Sequence, residues 1–147
     1  MGFGRLLSTT GISASGLAAE RLRMEIAANN IANVHTTSTP EGGPYRRQQV
    51  QFASDMQEFL GRDPQGISES LQGVRVAGVQ RDDSDFDVVF NPGHPDADAD
   101  GLVKMPNVKL PLEMVDLMTA SRAYDANLKS MTVFKQMAEQ TLSLMSR

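Results

Sequence analysis

The placement of the residues that interrupt helices constrains this chain more than any other feature. All seven prolines fall within positions 40–111, and the last of the twelve glycines is Gly101. Proline removes a backbone donor and clashes with the preceding turn, and glycine weakens a helix interior. Both ends are therefore open to long helices, while the middle is punctuated for strands and turns. The expected fold class is α+β. Long N- and C-terminal α-helices pair as a coiled-coil-like inner domain, and a small β-rich central region with loops lies between them. The expected division is an N-terminal helical arm at 1–39, a central region at 40–110 with a variable loop at 53–72, and a C-terminal arm at 111–147 that packs on the first.

The first helix is expected over residues 8–33. On a helical wheel Ile12, Ala19, Leu22 and Ile26 form one apolar stripe. Leu17, Met24, Ala28 and Ile31 form another, with Glu20, Arg23 and Asn30 between them. A helix that lies once on a globular core needs one broad stripe; two narrow ones suit a helix with neighbours on two sides. Gly11 and Gly16 each weaken it by about 1 kcal/mol relative to Ala, so alone in water it is marginal.

The second helix is expected from Pro111 to Met145, a rod on the order of 50 Å at 1.5 Å per residue. Pro111 suits the first turn, where its missing N–H has no intrahelical partner to lose, and Glu113 suits the positive end of the dipole. Leu117, Tyr124, Met131, Ala138 and Met145 recur every seventh residue, with Leu128 and Leu142 alongside, which is a coiled-coil pattern. A second stripe holds Val115, Ala126, Val133, Met137 and Leu144. Between the helices, residues 45–52, 73–79 and 87–90 have the alternation and flanking turn formers of short strands.

Composition excludes several functions. The chain has no cysteine, so disulfides, thiolate nucleophiles and Cys-ligated zinc are ruled out. A net charge of -4 with no basic stripe argues against nucleic-acid binding. No apolar run is long enough to insert in a membrane, and the N-terminus lacks the apolar segment of a secretory signal. Aromatics are 5% and Trp is absent, so a small central β unit is marginal unless it packs on something else.

Few motifs point to chemistry. In residues 91–101 (NPGHPDADADG) Asp96, Asp98, Asp100 and Gly101 match positions one, three, five and six of a calcium loop. The match then fails, because Asn107 stands at position twelve and Pro106 precludes the following helix. The alternatives are a turn whose carboxylates cap backbone N–H groups and a weak cation site. His94 lies between glycine and proline without a nearby second histidine, as a turn residue more than a ligand or base. No GxSxG elbow, SxxK motif or phosphate loop occurs, so no enzyme activity and no cofactor are expected. Asn29, Asn30 and Asn33 close the first helix, either as a polar terminus with Asn33 in a left-handed cap or as half-buried amides that fix helix register.

Residues 15–34 (SGLAAERLRMEIAANNIANV), followed by Thr36 and Thr37, resemble the N-terminal motif of the axial proteins of the bacterial flagellum, its rod and hook subunits. Residues 44–47 (PYRR), 91–101, 105–108 (MPNV), 113–115 (EMV) and 120–127 (ASRAYDAN) narrow the resemblance to proximal-rod subunits. Residues 53–72 lie outside it, and Asp85 stands where it would place proline. The resemblance implies a non-enzymatic subunit of the periplasmic rod, exported by the flagellar type III apparatus without signal cleavage. Its terminal helices would polymerise as a drive shaft and export-channel wall. Its partners would be other rod proteins, copies of itself and the junction with the basal-body membrane rings. The packing residues implied are Ile12, Leu17, Leu22, Met24, Ile26, Asn29, Asn30, Ile31 and Asn33 on the first helix. On the second they are Leu117, Tyr124, Leu128, Met131, Leu142 and Met145. Two rival classes are a small cation-binding module built on Asp96–Asp100 and a helical export adaptor or chaperone.

Overall fold

The computed structural model describes residues 2–54 and 73–145. Its order is α1 (Gly2–Ala32), β1 (Gln48–Ser54), β2 (Val74–Arg81), β3 (Asp87–Phe90), β4 (Leu102–Met105) and α2 (Leu110–Met145). This is the α+β class expected, with two long terminal helices and small antiparallel sheets. The first helix starts earlier than residue 8, its backbone running helically through Gly2 and Gly4. Ala53 and Ser54 belong to β1 rather than to a loop. The rest of the segment expected as a variable loop lies outside the described residues.

The helices pack antiparallel, because Asn30 meets Glu113, Arg23 meets Asp116, and Gly16 lies against Asn127. A Cβ on Gly16 would stand 3.0 Å from the Asn127 amide nitrogen, so the small residue lets the helices approach there. The α2 face toward α1 is a heptad seam. Leu117, Tyr124, Met131 and Ala138 occupy one set of positions, and Glu113, Ala120, Asn127 and Phe134 the other; all are buried or half-buried. Ala120 is fully buried. At the start of α2 the Lys109 carbonyl accepts from the Leu112 and Glu113 N–H groups at 2.9 and 3.2 Å.

The β1–β2 pair lies along a second side of α1. Its open end is held by Asn30, whose amide bonds the Gln48 backbone, and its far end by Ser15, whose hydroxyl accepts from the Val74 N–H at 3.1 Å. Lengths match: fifteen helical steps from Ser15 to Asn30 span about 22 Å, and β1 from end to end spans about 20 Å. The helical spacing of Ile12, Ser15, Ala19, Leu22 and Ile26 puts that apolar stripe on the hairpin side. The register slips once, between Gln51 and Phe52, leaving Ala77 as the unpaired residue of a bulge.

The second sheet pairs Asp87 with Met105 through Phe90 with Leu102. Strand β4 is absent from the sequence expectations. At four residues with one turn-rich loop before it and Pro106 after, it shows no alternation longer than Leu102–Lys104, and its partner β3 defines it. Val103 of β4 and Pro106, Asn107 and Val108 after it are buried, whereas Leu102 and Lys104 are exposed.

Ala120 tests the seam. Ala120→Leu inserts a larger side chain where no space is left and should lower unfolding free energy by about 1–3 kcal/mol. The neighbouring exposed change Ser121→Leu should stay within about 0.5 kcal/mol. Urea titration of both variants, followed by circular dichroism, reads the difference.

Candidate functional site

A buried polar knot ties the two helices to the central strands. Asn30, near the end of α1, is 1% exposed, and Glu113, in the first turn of α2, is also 1% exposed. The Asn30 amide nitrogen donates to Glu113 Oε2 at 2.8 Å and to the Gln48 carbonyl at 2.9 Å. Its oxygen accepts from the Tyr45 hydroxyl and from the Gln48 N–H, both at 3.0 Å. A primary amide has two donor hydrogens and two acceptor sites, so every bond Asn30 can make is made. The other Glu113 oxygen accepts from Arg47 Nε at 2.5 Å, a charge-assisted bond between a buried carboxylate and a half-buried guanidinium.

The network continues outward. The Arg47 N–H donates to Asn107 Oδ1 at 2.8 Å, and the Asn107 amide donates to the Asp82 carbonyl and to Ser84 Oγ. Arg47 also faces Asp82 at 3.5 Å and Asp116 at 3.7 Å, while Arg23 donates to Asp116 at 2.9 Å. Three carboxylates and two guanidiniums therefore alternate across the junction. Burial works against the charge on Arg47, yet the Glu113 and Asp82 carboxylates outweigh it and raise its pKa, so it stays protonated at any accessible pH. Burial, and next the Glu113 charge, push the Tyr45 phenol above its usual range and keep it a donor. Bonds from Ser84, with Arg47 adding to them, hold the Asp82 carboxyl below its usual range.

The residues singled out in sequence take distinct places. Of the three asparagines, Asn30 is the buried node, Asn29 is exposed, and Asn33 bonds back to the Asn29 carbonyl at 2.9 Å. Ile26 is buried, whereas Ile12, Leu17, Leu22, Met24 and Ile31 are half-buried. Leu117, Tyr124 and Met131 lie half-buried in the seam. Leu128 lies on its flank and Leu142 near the end of α2, and both are exposed; Met145 is the last residue of α2. Sequence reasoning missed Tyr45, Arg47, Asn107 and the bridging role of Glu113. The available signal was their appearance in short polar motifs beside Pro44, Pro106 and Pro111, places where a buried bond partner is needed to hold irregular backbone.

Residues 91–101 form the connection between β3 and β4. Asn91 N–H bonds the Gly101 carbonyl at 2.8 Å, and Asp98 N–H bonds the Leu102 carbonyl at 2.9 Å. Gly101 has φ +72, and a Cβ there would lie 3.0 Å from the Phe90 ring, so glycine is required. Asp96 accepts from the Thr37 hydroxyl at 2.7 Å, which ties this turn to the segment leaving α1. Among the described residues, no three carboxylate or imidazole side chains converge as metal ligands. Nor is any helix of them long and apolar enough to cross a membrane. A surface hollow of about 390 Å³ lies between the turn at residues 39–45 and Phe86, on whose ring the Arg46 guanidinium stacks at 4.4 Å.

Two helices joined by a buried polar junction, with a strand pair laid along the first, describe a helical scaffold. Comparison with known families agrees. Residues 12–38 match the family described as flagella basal body rod protein, and residues 99–144 match the C-terminal family of flagellar basal body rod FlgEFG proteins. The chain is 41% identical to the flagellar basal-body rod protein FlgC of Borreliella burgdorferi, over 95% of this chain and 97% of that one. It is 40% identical to the FlgC protein of Salmonella typhimurium, with the same two coverages. It is 39% identical to that of Bacillus subtilis, over 90% and 93%. The chain belongs to the FlgC family and is a structural subunit of the flagellar basal-body rod.

Asn30 gives the sharpest test of the knot. Asn30→Leu keeps the branching at Cγ but strips partners from Glu113, Tyr45 and the Gln48 backbone, and should cost about 3–5 kcal/mol. Asn30→Asp places a second carboxylate against Glu113. The pair then holds a proton more tightly folded than unfolded, so its penalty should be full near pH 7 and shrink as pH falls toward the carboxylate range. Unfolding free energies measured from pH 7 down to about pH 5 check the sign.

Proposed function

We propose that this rod subunit polymerises in the proximal rod through its terminal helices, with the outer face of α2 as a principal contact. The supporting observation is the state of the second α2 stripe. Val115, Val133, Met137 and Leu144 are 57, 52, 50 and 76% exposed, and Ala126 between them is exposed as well. The members of the stripe spread from the second turn of α2 to the last, about 44 Å at 1.5 Å per residue, with Thr119 and Arg122 on the same face between Val115 and Ala126. Helical spacing sets it roughly a third of a turn from the α1 seam, so α1 of the same chain cannot cover it. The exposed apolar run is densest at Val133, Met137 and Leu144, and such a run on a water-facing helix marks an interaction surface. A second open apolar face, formed by Val88, Phe90 and Leu102 of the β3–β4 sheet, offers an outer contact.

In this reading the partners are other rod proteins and further copies of the chain, with the membrane-ring junction at one end. The helices contribute to the wall of the export channel in the periplasmic drive shaft. The subunit passes through the type III export apparatus without signal cleavage and carries no catalytic activity. Marginal helices with open apolar faces suit that route, since partners supply the burial that completes them.

Charge on each α2 face separates the roles. Val133→Glu lies on the open stripe and should leave the purified chain's unfolding within about 0.5 kcal/mol. It should nevertheless abolish rod incorporation and motility, because assembly would bury an unpaired carboxylate. Met131→Glu strikes the seam inside the chain and should lower unfolding free energy itself by several kcal/mol, on the order of 2–4. Lys129→Glu, exposed between them, should remain motile. Normal swimming by the Val133→Glu strain would overturn the assignment of the stripe.

A further inference from the structure

Met137 lies within the open α2 stripe, one turn after Val133 and two turns before Leu144. The chain has nine methionines and no cysteine, so thioethers are its only sulfur. Met24, Met105 and Met131 are half-buried, whereas Met114, Met118 and Met137 are exposed. Among these three, helical spacing places Met114 and Met118 on the flank of α2, about a quarter turn or more from the stripe. Among the methionines whose exposure is described, Met137 alone is both accessible in the single chain and part of the stripe.

We infer that Met137 is a redox-sensitive position, whose oxidation by a hydroperoxide in the unassembled subunit blocks packing of the α2 stripe. The inference rests on the stripe being the assembly face. The Met137 sulfur attacks one oxygen of hydrogen peroxide, forming an S–O bond as the O–O bond breaks. Sulfur is oxidised by two electrons to the sulfoxide, and the other oxygen leaves as water after proton transfer. The product replaces a flexible apolar side chain with a strong dipole that accepts hydrogen bonds and donates none. Val133, one turn before it, offers no donor, and the Thr141 hydroxyl, one turn after, already donates to the Met137 carbonyl, so packing the stripe would bury an acceptor that neither neighbour satisfies. Once packed, the same sulfur is shielded, and sensitivity is confined to the interval between synthesis and incorporation.

The test compares full-length chains in a host whose own subunit of this family is deleted. Wild type, Met137→Leu, Met137→Gln and Val133→Glu are each expressed, and new flagella are counted after shearing, with and without a hydrogen peroxide pulse. Peptide mass spectrometry of the purified chain first measures sulfoxide at each methionine. Met137 should oxidise faster than Met131. New wild-type flagella should fall about tenfold more than those of Met137→Leu under peroxide, and Met137→Gln, a polar stand-in for the sulfoxide, should assemble poorly without it. Equal peroxide sensitivity of wild type and Met137→Leu, or normal assembly by Met137→Gln, overturns the inference. If Val133→Glu still fails to assemble in that case, the stripe remains the assembly face and only the redox claim falls. If Val133→Glu assembles too, the underlying assignment of the stripe is wrong.

Discussion

The bond pair from Asn30 and Arg47 to Glu113 is the interaction on which the rest of the fold depends. Glu113 brings a negative charge into a site with almost no solvent, which is unfavourable by several kcal/mol unless both oxygens are bound. Arg47 and Asn30 bind one oxygen each, and the positive end of α2 adds to them. Those two partners come from β1's approach and from α1, so the carboxylate is satisfied only when helix, strand and helix arrive together. A hydrophobic contact at the same place would hold the elements near one another but tolerate sliding. The directional bonds of Asn30 admit one register, with residue 30 beside residue 113 and the β1 strand starting against both.

That fixed corner explains why the distal parts of the molecule are thin. Away from the knot, the seam uses small or polar residues, Ala120, Asn127 and Ala138, and most of its larger members are half-buried. The described core is short, with Ile26, Val103 and Val108 its largest apolar members. A chain built to stand alone would fill these positions with large side chains. This one concentrates its directional bonds at one end and leaves apolar side chains exposed along α2.

Much of the architecture was legible from the sequence because its cause is local. Proline-free ends, stripes with period 3.6 and the heptad from Leu117 gave both helices, and alternation gave β1, β2 and β3 close to where they occur. Strand β4 was not legible, since four residues between a turn and Pro106 carry no period of their own. The knot was legible only in part. Asn30 stood out as a polar residue between apolar stripes, but its partners lie 15, 18 and 83 positions away. Glu113 read as a charge at a helix start, a role it also fills, and nothing local showed that it is buried. Polar groups that meet across long sequence separations leave no periodic trace. The two α2 stripes were both visible, yet only the fold shows which of them α1 covers.

The central claim is that the knot fixes a helix pair within each chain while the outer α2 stripe is covered by other chains. A density map of assembled rods at side-chain resolution tests both halves at once. The account predicts Asn30 within hydrogen-bond reach of Glu113 of the same chain, and Val115, Val133, Met137 and Leu144 packed against helices of neighbouring subunits. A map in which that stripe faces the channel or solvent, or in which α1 leaves its own α2 to pair with another chain's, would contradict it.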